Sequence, residues 1–220
     1  QLVDEGYVDG ADGFLIAEPS SQAQIINSHK GSIQYEVHAY GRAAHSSTPE
    51  LGVDALQLLV DYINESNAKF AEAFDGIVND QLGKTLNVNT VINGGTQINS
   101  VAGHAVLKAN ARTVPEADGD VVIQIINDVI EKLNKEDRGT LELNILQNNP
   151  SAISDVDNAL TKAIHAAKAE EIPVIALAGA TDASNFGRIA NKYDLAIYGP
   201  GDSSLAHIVD EYVEVDDYLQ

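Results

Sequence analysis

Ile33-Gln34-Tyr35-Glu36-Val37-His38-Ala39-Tyr40 is the stretch that decides the fold. Ile33, Tyr35, Val37 and Ala39 fall on one side of an extended chain, and Gln34, Glu36, His38 and Tyr40 on the other. That two-residue period marks a strand with one face buried. Downstream, residues 52–70 place Val53, Leu56, Val60 and Ile63, with Ala55 and Leu59, at helical spacing. Leu86, Val88, Thr90 and Ile92 alternate again, as do Ala105, Leu107, Ala109 and Ala111. Val122, Ile126, Val129 and Leu133 form a second helical stripe, and Leu141, Leu143 and Ile145 a last strand. The order β-α-β-β-α-β predicts a ferredoxin-like module over residues 31–147.

Outside that module the pattern is different. Phe14-Leu15-Ile16-Ala17 is a short continuous apolar run closed by Glu18-Pro19, which predicts a strand buried on both faces, with Pro19 holding Glu18 extended. A helix around 155–169 leads to the apolar run Val174–Ala178, the loop Gly179–Ser184, a helix over Ala183–Ala190 and a strand over Leu195–Tyr198 that ends in Gly199-Pro200-Gly201. Residues 1–30 and 148–220 therefore read as one α/β domain into which the ferredoxin-like module is inserted.

Composition narrows the function classes. The 220 residues include 13 Lys and Arg against 33 Asp and Glu, a formal net charge of −20. Such a surface repels phosphate backbones and anionic membranes, so neither nucleic acid nor lipid is the expected partner. With no cysteine in the chain, disulfides, thiolate metal sites and a cysteine nucleophile are excluded together. No apolar run approaches the roughly 18 residues a membrane helix needs, and the expected address is the cytoplasm. The chain begins at Gln1 and has no methionine, and it reads as an excised piece of something longer.

In open α/β sheets ligands collect beyond the carboxyl ends of strands. Three such ends carry polar residues: Glu18, then Thr181 and Asp182, then the loop from Gly199 to His207. Glu18 and His207 are suitable oxygen and nitrogen donors for zinc. The plainer alternatives are a solvated strand-end acid and a loop histidine. Asp182 also suits a helix N-cap. His45 lies in a Gly/Ala/Ser-rich turn, and Asn99 has the option of satisfying its own turn after Gly94-Gly95. Arg112, on an alternating strand with Ala109 and Ala111, is expected to face an anion or an acidic pair. His29, His38, His104 and His165 read as surface or satisfied core residues. No Gly-x-Ser-x-Gly elbow, His-Glu-x-x-His helix or Walker loop is present.

Ala17-Glu18-Pro19-Ser20, Lys30-Gly31, Gly41-Arg42-Ala43-Ala44-His45-Ser46-Ser47 and Gly52-Val53-Asp54-Ala55 resemble the zinc-dependent amidohydrolases, the family of succinyl-diaminopimelate desuccinylase, acetylornithine deacetylase, aminoacylase and carboxypeptidase G. Asn93-Gly94-Gly95-Thr96-Gln97-Ile98-Asn99-Ser100-Val101, Ala109-Asn110-Ala111-Arg112, Gly179-Ala180-Thr181-Asp182-Ala183, Gly199-Pro200-Gly201, Ala206-His207 and Asp210-Glu211-Tyr212-Val213 extend the resemblance over the whole chain, in order. It implies a zinc-peptidase-like α/β catalytic domain with an inserted ferredoxin-like lid through which two copies pair. By the same resemblance Glu18 and His207 are metal ligands, one for each ion of a two-zinc pair, with cobalt or manganese as alternatives. His45 is the lid histidine that polarises the scissile carbonyl in the partner subunit's site. Asn99 and Arg112 hold the substrate carboxylate, and Gly179, Ala180 and Thr181 wall the pocket.

The resemblance also implies a His-x-Asp word, a bridging aspartate and a Glu-Glu pair upstream, none of which fits in the 17 residues before Glu18. In the intact family member, zinc lowers the pKa of bound water towards about 7 and a glutamate takes its proton. The resulting hydroxide attacks the amide carbon. The expectation for these 220 residues is the carboxy-terminal majority of such an enzyme, holding little or no zinc and inactive by itself. Its substrate is an N-acyl amino acid or peptide, N-succinyl-diaminopimelate first, with acetylornithine or a dipeptide as alternatives. A stand-alone ferredoxin-like module for dimerisation or small-anion binding is the competing class.

Overall fold

A computed structural model of the chain describes residues 2–189, 191–206 and 208–219. It divides into two compact units: Gln1–Gly31 with Asp80–Gly83 and Pro150–Gln220, and Ser32–Asn79 with Lys84–Asn149.

The second unit is a four-stranded sheet with two helices. Its elements in chain order are β3 (Gly31–Tyr40), α1 (Ala55–Ala73), β4 (Leu86–Gly94), β5 (His104–Thr113), α2 (Gly119–Asn134) and β6 (Thr140–Asn149). The sheet order is β4-β5-β3-β6. β3 and β6 pair antiparallel from Ser32↔Asn149 to Tyr40↔Thr140, and β4 and β5 from Leu86↔Arg112 to Gly94↔Ala105. This is the ferredoxin-like arrangement. Ile33, Tyr35, Val37 and Ala39 of β3 and Ala105, Leu107, Ala109 and Ala111 of β5 are all buried. The helices cover that face, α2 through Val122, Ile126, Val129 and Leu133.

Asp54 and Asp118 cap the two helices. Asp54 Oδ1 accepts from the Leu56 and Gln57 amides, and Asp118 Oδ1 from the Asp120 and Val121 amides. Each such cap contributes about 1 kcal/mol. The expected stripe on α1 is rotated: the buried residues are Ala55, Leu58, Leu59, Tyr62, Ser66 and Phe70, while Val60 is 41% exposed. Spacing alone allowed two overlapping apolar faces, and the larger aromatic pair, Tyr62 and Phe70, went inward.

The first unit contains β1 (Gly13–Ile16), β2 (Ile25–His29), β7 (Ala152–Ile153), α3 (Ala159–Lys168), β8 (Val174–Leu177), β9 (Asp194–Ile197) and a one-turn helix α4 (Val215–Tyr218). Its sheet runs β1-β9-β2-β7, with β8 also on β2. β1 is parallel to β9 and β8 to β2, whereas β2 is antiparallel to both β7 and β9. A small core of Ile26, Ala152, Ala183, Leu195 and Ile197 is flanked by Phe14, Ile16, Ile175, Leu177 and Tyr193.

Two expectations change in this unit, and one strand is new. β1 is not buried on both faces: it is an edge strand, and Leu15 is 56% exposed. The helix expected over Ala183–Ala190 is a 3-10 helix over Asp182–Arg188, and Ala190 lies outside the described residues. β2 was not legible at all. Its sequence Ile-Ile-Asn-Ser-His is more than half polar, yet every residue in it is buried. Asn27 explains how, because its amide donates to the Ser154 carbonyl (2.7 Å) and to Gln81 Oε1 (3.0 Å). A buried polar strand is tolerated where its side chains find such partners.

Candidate active site

At the carboxyl end of β1, Glu18 leaves the strand beside Pro19. Its Oε1 accepts a hydrogen bond from the Asp182 amide, 3.2 Å away and 164 residues along the chain. Thr181 Oγ1 accepts from the Ala183 amide (3.2 Å), so the cap of the 3-10 helix is Thr181 and not Asp182. The helix is held to β1 by Phe14 and Phe186, whose rings stack with centroids 4.0 Å apart. Gly179 and Ala180, half-buried, bridge β8 to this cap.

The third strand end joins the same corner. The Ser20 amide donates to the Gly199 carbonyl (3.2 Å) and the Ser21 amide to the Gly201 carbonyl (2.8 Å). A Cβ at position 199 would stand 2.8 Å from the Glu18 carbonyl oxygen, so only glycine lets the two loops touch. Asp202 caps the next turn by accepting from the Ser204 amide (2.8 Å), which holds its carboxyl below the usual carboxylate range. His207, two residues beyond Leu205, lies outside the described residues. A cavity of about 570 Å³ opens beside this corner, lined among others by Leu15, Ala17, Asp182, Asn185, Phe186 and Arg188.

The second unit carries the other three candidates. Loops 41–54 and 95–102 are laced together: the Ser46 amide donates to the Asn99 carbonyl (2.9 Å), the Val101 amide to the Ala44 carbonyl (2.8 Å), and His45 and Ser100 form a bridge. Gly41 allows this path, since a Cβ there would lie 2.1 Å from the Val53 carbonyl oxygen. The Ser47 amide donates to His45 Nδ1 (3.2 Å), and the Ser47 hydroxyl sits 2.8 Å from the same nitrogen. A nitrogen that accepts carries no proton, so these bonds assign the proton to Nε2. His45 is exposed, and its Nε2–H makes no hydrogen bond among the described residues.

Asn99 offers its carbonyl to Ser46, but its side-chain amide makes no hydrogen bond among the described residues, so it does not serve its own turn. Arg112 is half-buried opposite Leu86 on β4. Of the two options expected for it, an anion or an acidic pair, the second is not formed: among the described residues no carboxylate lies within ion-pair distance. The sequence reading missed the polar cluster on the outer face of β3 and β5, where Glu36, His38, His104 and Lys108 meet. The signal was their period-two alternation with the core residues. His29 proves buried, as one of the two options allowed, yet only half satisfied: Nδ1 donates to the Lys30 carbonyl (2.9 Å), Nε2 has no partner, and burial lowers its pKa.

Residues 27–138 match the family model of the peptidase dimerisation domain, M20_dimer. The chain belongs to this family. Over its full length the M20 chain is 37% identical to a protein named probable succinyl-diaminopimelate desuccinylase from Staphylococcus aureus (strain MRSA252), of which it spans 60%. It is 28% identical over 92% of its length to an acetylornithine deacetylase from Buchnera aphidicola, covering 52% of that protein. Among solved structures, a putative aminohydrolase from methicillin-resistant S. aureus superposes over 99% of this chain and 58% of its own with a TM-score of 0.73 at 14% identity. A tripeptidase from S. aureus superposes over 89% of this chain and 50% of its own, with a TM-score of 0.64 at 22% identity. At such identities the structural likeness establishes the fold alone. The M20 chain thus spans about 60% of the length of the curated relatives it matches.

Proposed function

We propose that these residues are the lid and part of the metal-binding wall of a metal-dependent amidohydrolase that cleaves the amide bond of an N-acyl amino acid, with N-succinyl-diaminopimelate as the first-choice substrate. The observation that carries this reading is the lacing of His45 to the Asn99–Val101 segment, which puts a free Nε2–H and a free carboxamide on one short stretch of lid. In this reading His45 donates Nε2–H to the scissile carbonyl oxygen as negative charge develops there. Asn99 and the unneutralised Arg112 grip the substrate carboxylate, Arg112 with its planar fork. Gly179, Ala180 and Thr181 wall the pocket.

Zinc, or cobalt or manganese in its place, suits a glutamate and a histidine donor. The described residues of this chain do not complete such a site, because no three His, Asp or Glu side chains among them are gathered for an ion. Glu18 and His207 are the donors this chain contributes, and a catalytic zinc takes three protein ligands. The chain alone is therefore inactive in this reading.

The same reading makes the protein a homodimer. β4 is an edge strand, paired only with β5 among the described residues, and it exposes Val88 and Ile92. A second copy joins along β4 and the neighbouring α1. No helix among the described residues is long and apolar enough to cross a membrane, and the enzyme is read as cytoplasmic.

The decisive assay uses the full-length parent enzyme with succinyl-diaminopimelate, acetylornithine and a simple dipeptide. Preference for the succinyl substrate is expected, with Arg112→Ala raising KM far more than it lowers kcat; preference for the dipeptide overturns the substrate assignment. Sedimentation of the lid-bearing chain as a monomer at high concentration overturns the dimer.

A further inference from the structure

The outer face of the second unit's sheet, away from α1 and α2, carries a built arrangement of imidazoles that the amidohydrolase reading does not use. Glu36 and His38 project from β3, His104 and Lys108 from β5, and Glu142 and Asn144 from β6. His38 Nε2 lies 3.2 Å from Glu36 Oε2, and Glu36 Oε1 lies 2.7 Å from Lys108 Nζ. Asn144 also donates to Glu36 Oε2 (3.3 Å). These donors hold the Glu36 carboxyl down to about 2, Lys108 foremost, so it is an anion that fixes the proton of His38 on Nε2. The free lone pair of His38 is thereby placed on Nδ1, and Nδ1 lies 3.3 Å from His104 Nε2. Tyr40 packs beside both rings, with its centroid 5.1 Å from that of His104.

Two imidazole nitrogens 3.3 Å apart reach one zinc-sized ion at about 2.0–2.1 Å each with a near-tetrahedral angle between them. A carboxylate that holds the far N–H of a ligating histidine is the arrangement that orients such ligands in metal sites. The third donor is at hand. Glu142 is the cross-strand partner of His38, on the same face, exposed, and in no ion pair among the described residues. Directly opposed residues have Cβ atoms about 4.5–5.5 Å apart, and because β6 and β5 flank β3 on opposite sides, the Glu142 side chain has to rotate across the His38 ring to meet an ion held between His38 and His104. That rotation is required, because in the present arrangement no three such side chains are gathered.

We propose that His38 Nδ1, His104 Nε2 and Glu142 form a surface site for a divalent transition-metal ion of the zinc and copper class, with Glu36 as the residue that positions His38. Imidazole with carboxylate suits that class of ion. When the ion binds, the single proton of His104 moves from Nε2, where it is shared with His38, to Nδ1, which frees the Nε2 lone pair for the ion, so both rings stay neutral and no proton is lost. Lys108 neutralises Glu36, and Glu142 supplies the site's own negative charge within a chain of net charge −20.

The test titrates Cu²⁺ and Zn²⁺ into the full chain, following Cu²⁺ by electron paramagnetic resonance and Zn²⁺ by calorimetry. A Cu²⁺ spectrum with two equatorial nitrogens is expected, abolished by His38→Gln and by His104→Gln. Glu36→Gln, which removes only the orienting group, is expected to weaken binding by about tenfold. The double variant Glu18→Gln, His207→Gln is expected to leave this signal unchanged, which separates the site from the proposed catalytic metals. Unaltered far-UV circular dichroism and Tm in each variant establish that the fold persists. Binding that survives His104→Gln, or that disappears only with Glu18 and His207, overturns the proposal.

Discussion

The two units differ in how they close their cores. In the lid unit, Tyr35, Leu58, Leu59, Tyr62, Leu107, Ile126 and Leu141 are fully buried between one sheet face and two helices. The other unit surrounds a core of five buried residues, and its sheet ends on a strand whose outer backbone groups have no partner strand among the described residues. Leu2, Tyr7, Leu15, Val209, Tyr218 and Leu219 of that unit are exposed. The ferredoxin-like unit therefore has the burial an independent fold requires, whereas the β1 edge is a surface that further structure would extend.

The largest test of this contrast is physical separation. Residues 32–149 expressed alone are expected to unfold in one cooperative thermal transition, while in the intact chain the amides of β1 and β8 exchange with solvent far faster than those of β3 and β5. Equal protection in both units removes the distinction. Next come paired core truncations. Leu58, 1% exposed, is expected to lose about 2–5 kcal/mol on Leu58→Ala. Leu15, 56% exposed, is expected to lose less than about 0.5 kcal/mol on Leu15→Ala. Chemical denaturation measures both, and a large cost at Leu15 means the β1 edge is covered in solution. A smaller effect is expected at the helix start, where Asp118→Ala removes a cap and costs about 1 kcal/mol, read as a shift in Tm.

The smallest effect sharpens the comparison through pH. Burial lowers the pKa of His29 in the first unit below its ordinary 6.5. The unfolded chain then binds a proton before the folded one does, so this contribution is complete above about pH 6.5 and declines as pH falls from there through the folded value. Glu36 in the lid behaves as a depressed carboxylate: its contribution is present above the unfolded value and is lost as pH falls towards about 2. Acidification is therefore expected to loosen the first unit before the lid, as followed by hydrogen exchange between pH 7 and 4. His29→Leu is expected to flatten the first unit's response; an unchanged response removes His29 as its cause.

Legibility followed the range of the forces involved. β3, β5 and α2 were readable because each buries one face with an unbroken period. The face of α1 was misjudged because Leu56, Val60 and Ile63 formed a second plausible stripe, and only packing against the sheet chose Leu58, Tyr62 and Phe70. The β1 run was apolar enough for a central strand, yet nothing local in Phe14–Ala17 records which neighbours flank it. Among the site candidates, the loops holding His45 and Asn99 announced themselves through glycine-rich words. Of the anion or acidic pair expected at Arg112, the acidic pair is not formed among the described residues, since the charge of a strand residue says nothing about which side chains the adjacent strands bring to it.

By itself the chain's order of residues determined the ferredoxin-like module and the acidic surface, because the period of apolar residues and the count of charges are carried by the chain itself. Tertiary structure alone decided that polar β2 is buried, that Glu18 takes the amide of Asp182, and that His38 meets His104. Those outcomes depend on hydrogen-bond partners far away in the sequence, whose proximity exists only after the sheets have formed.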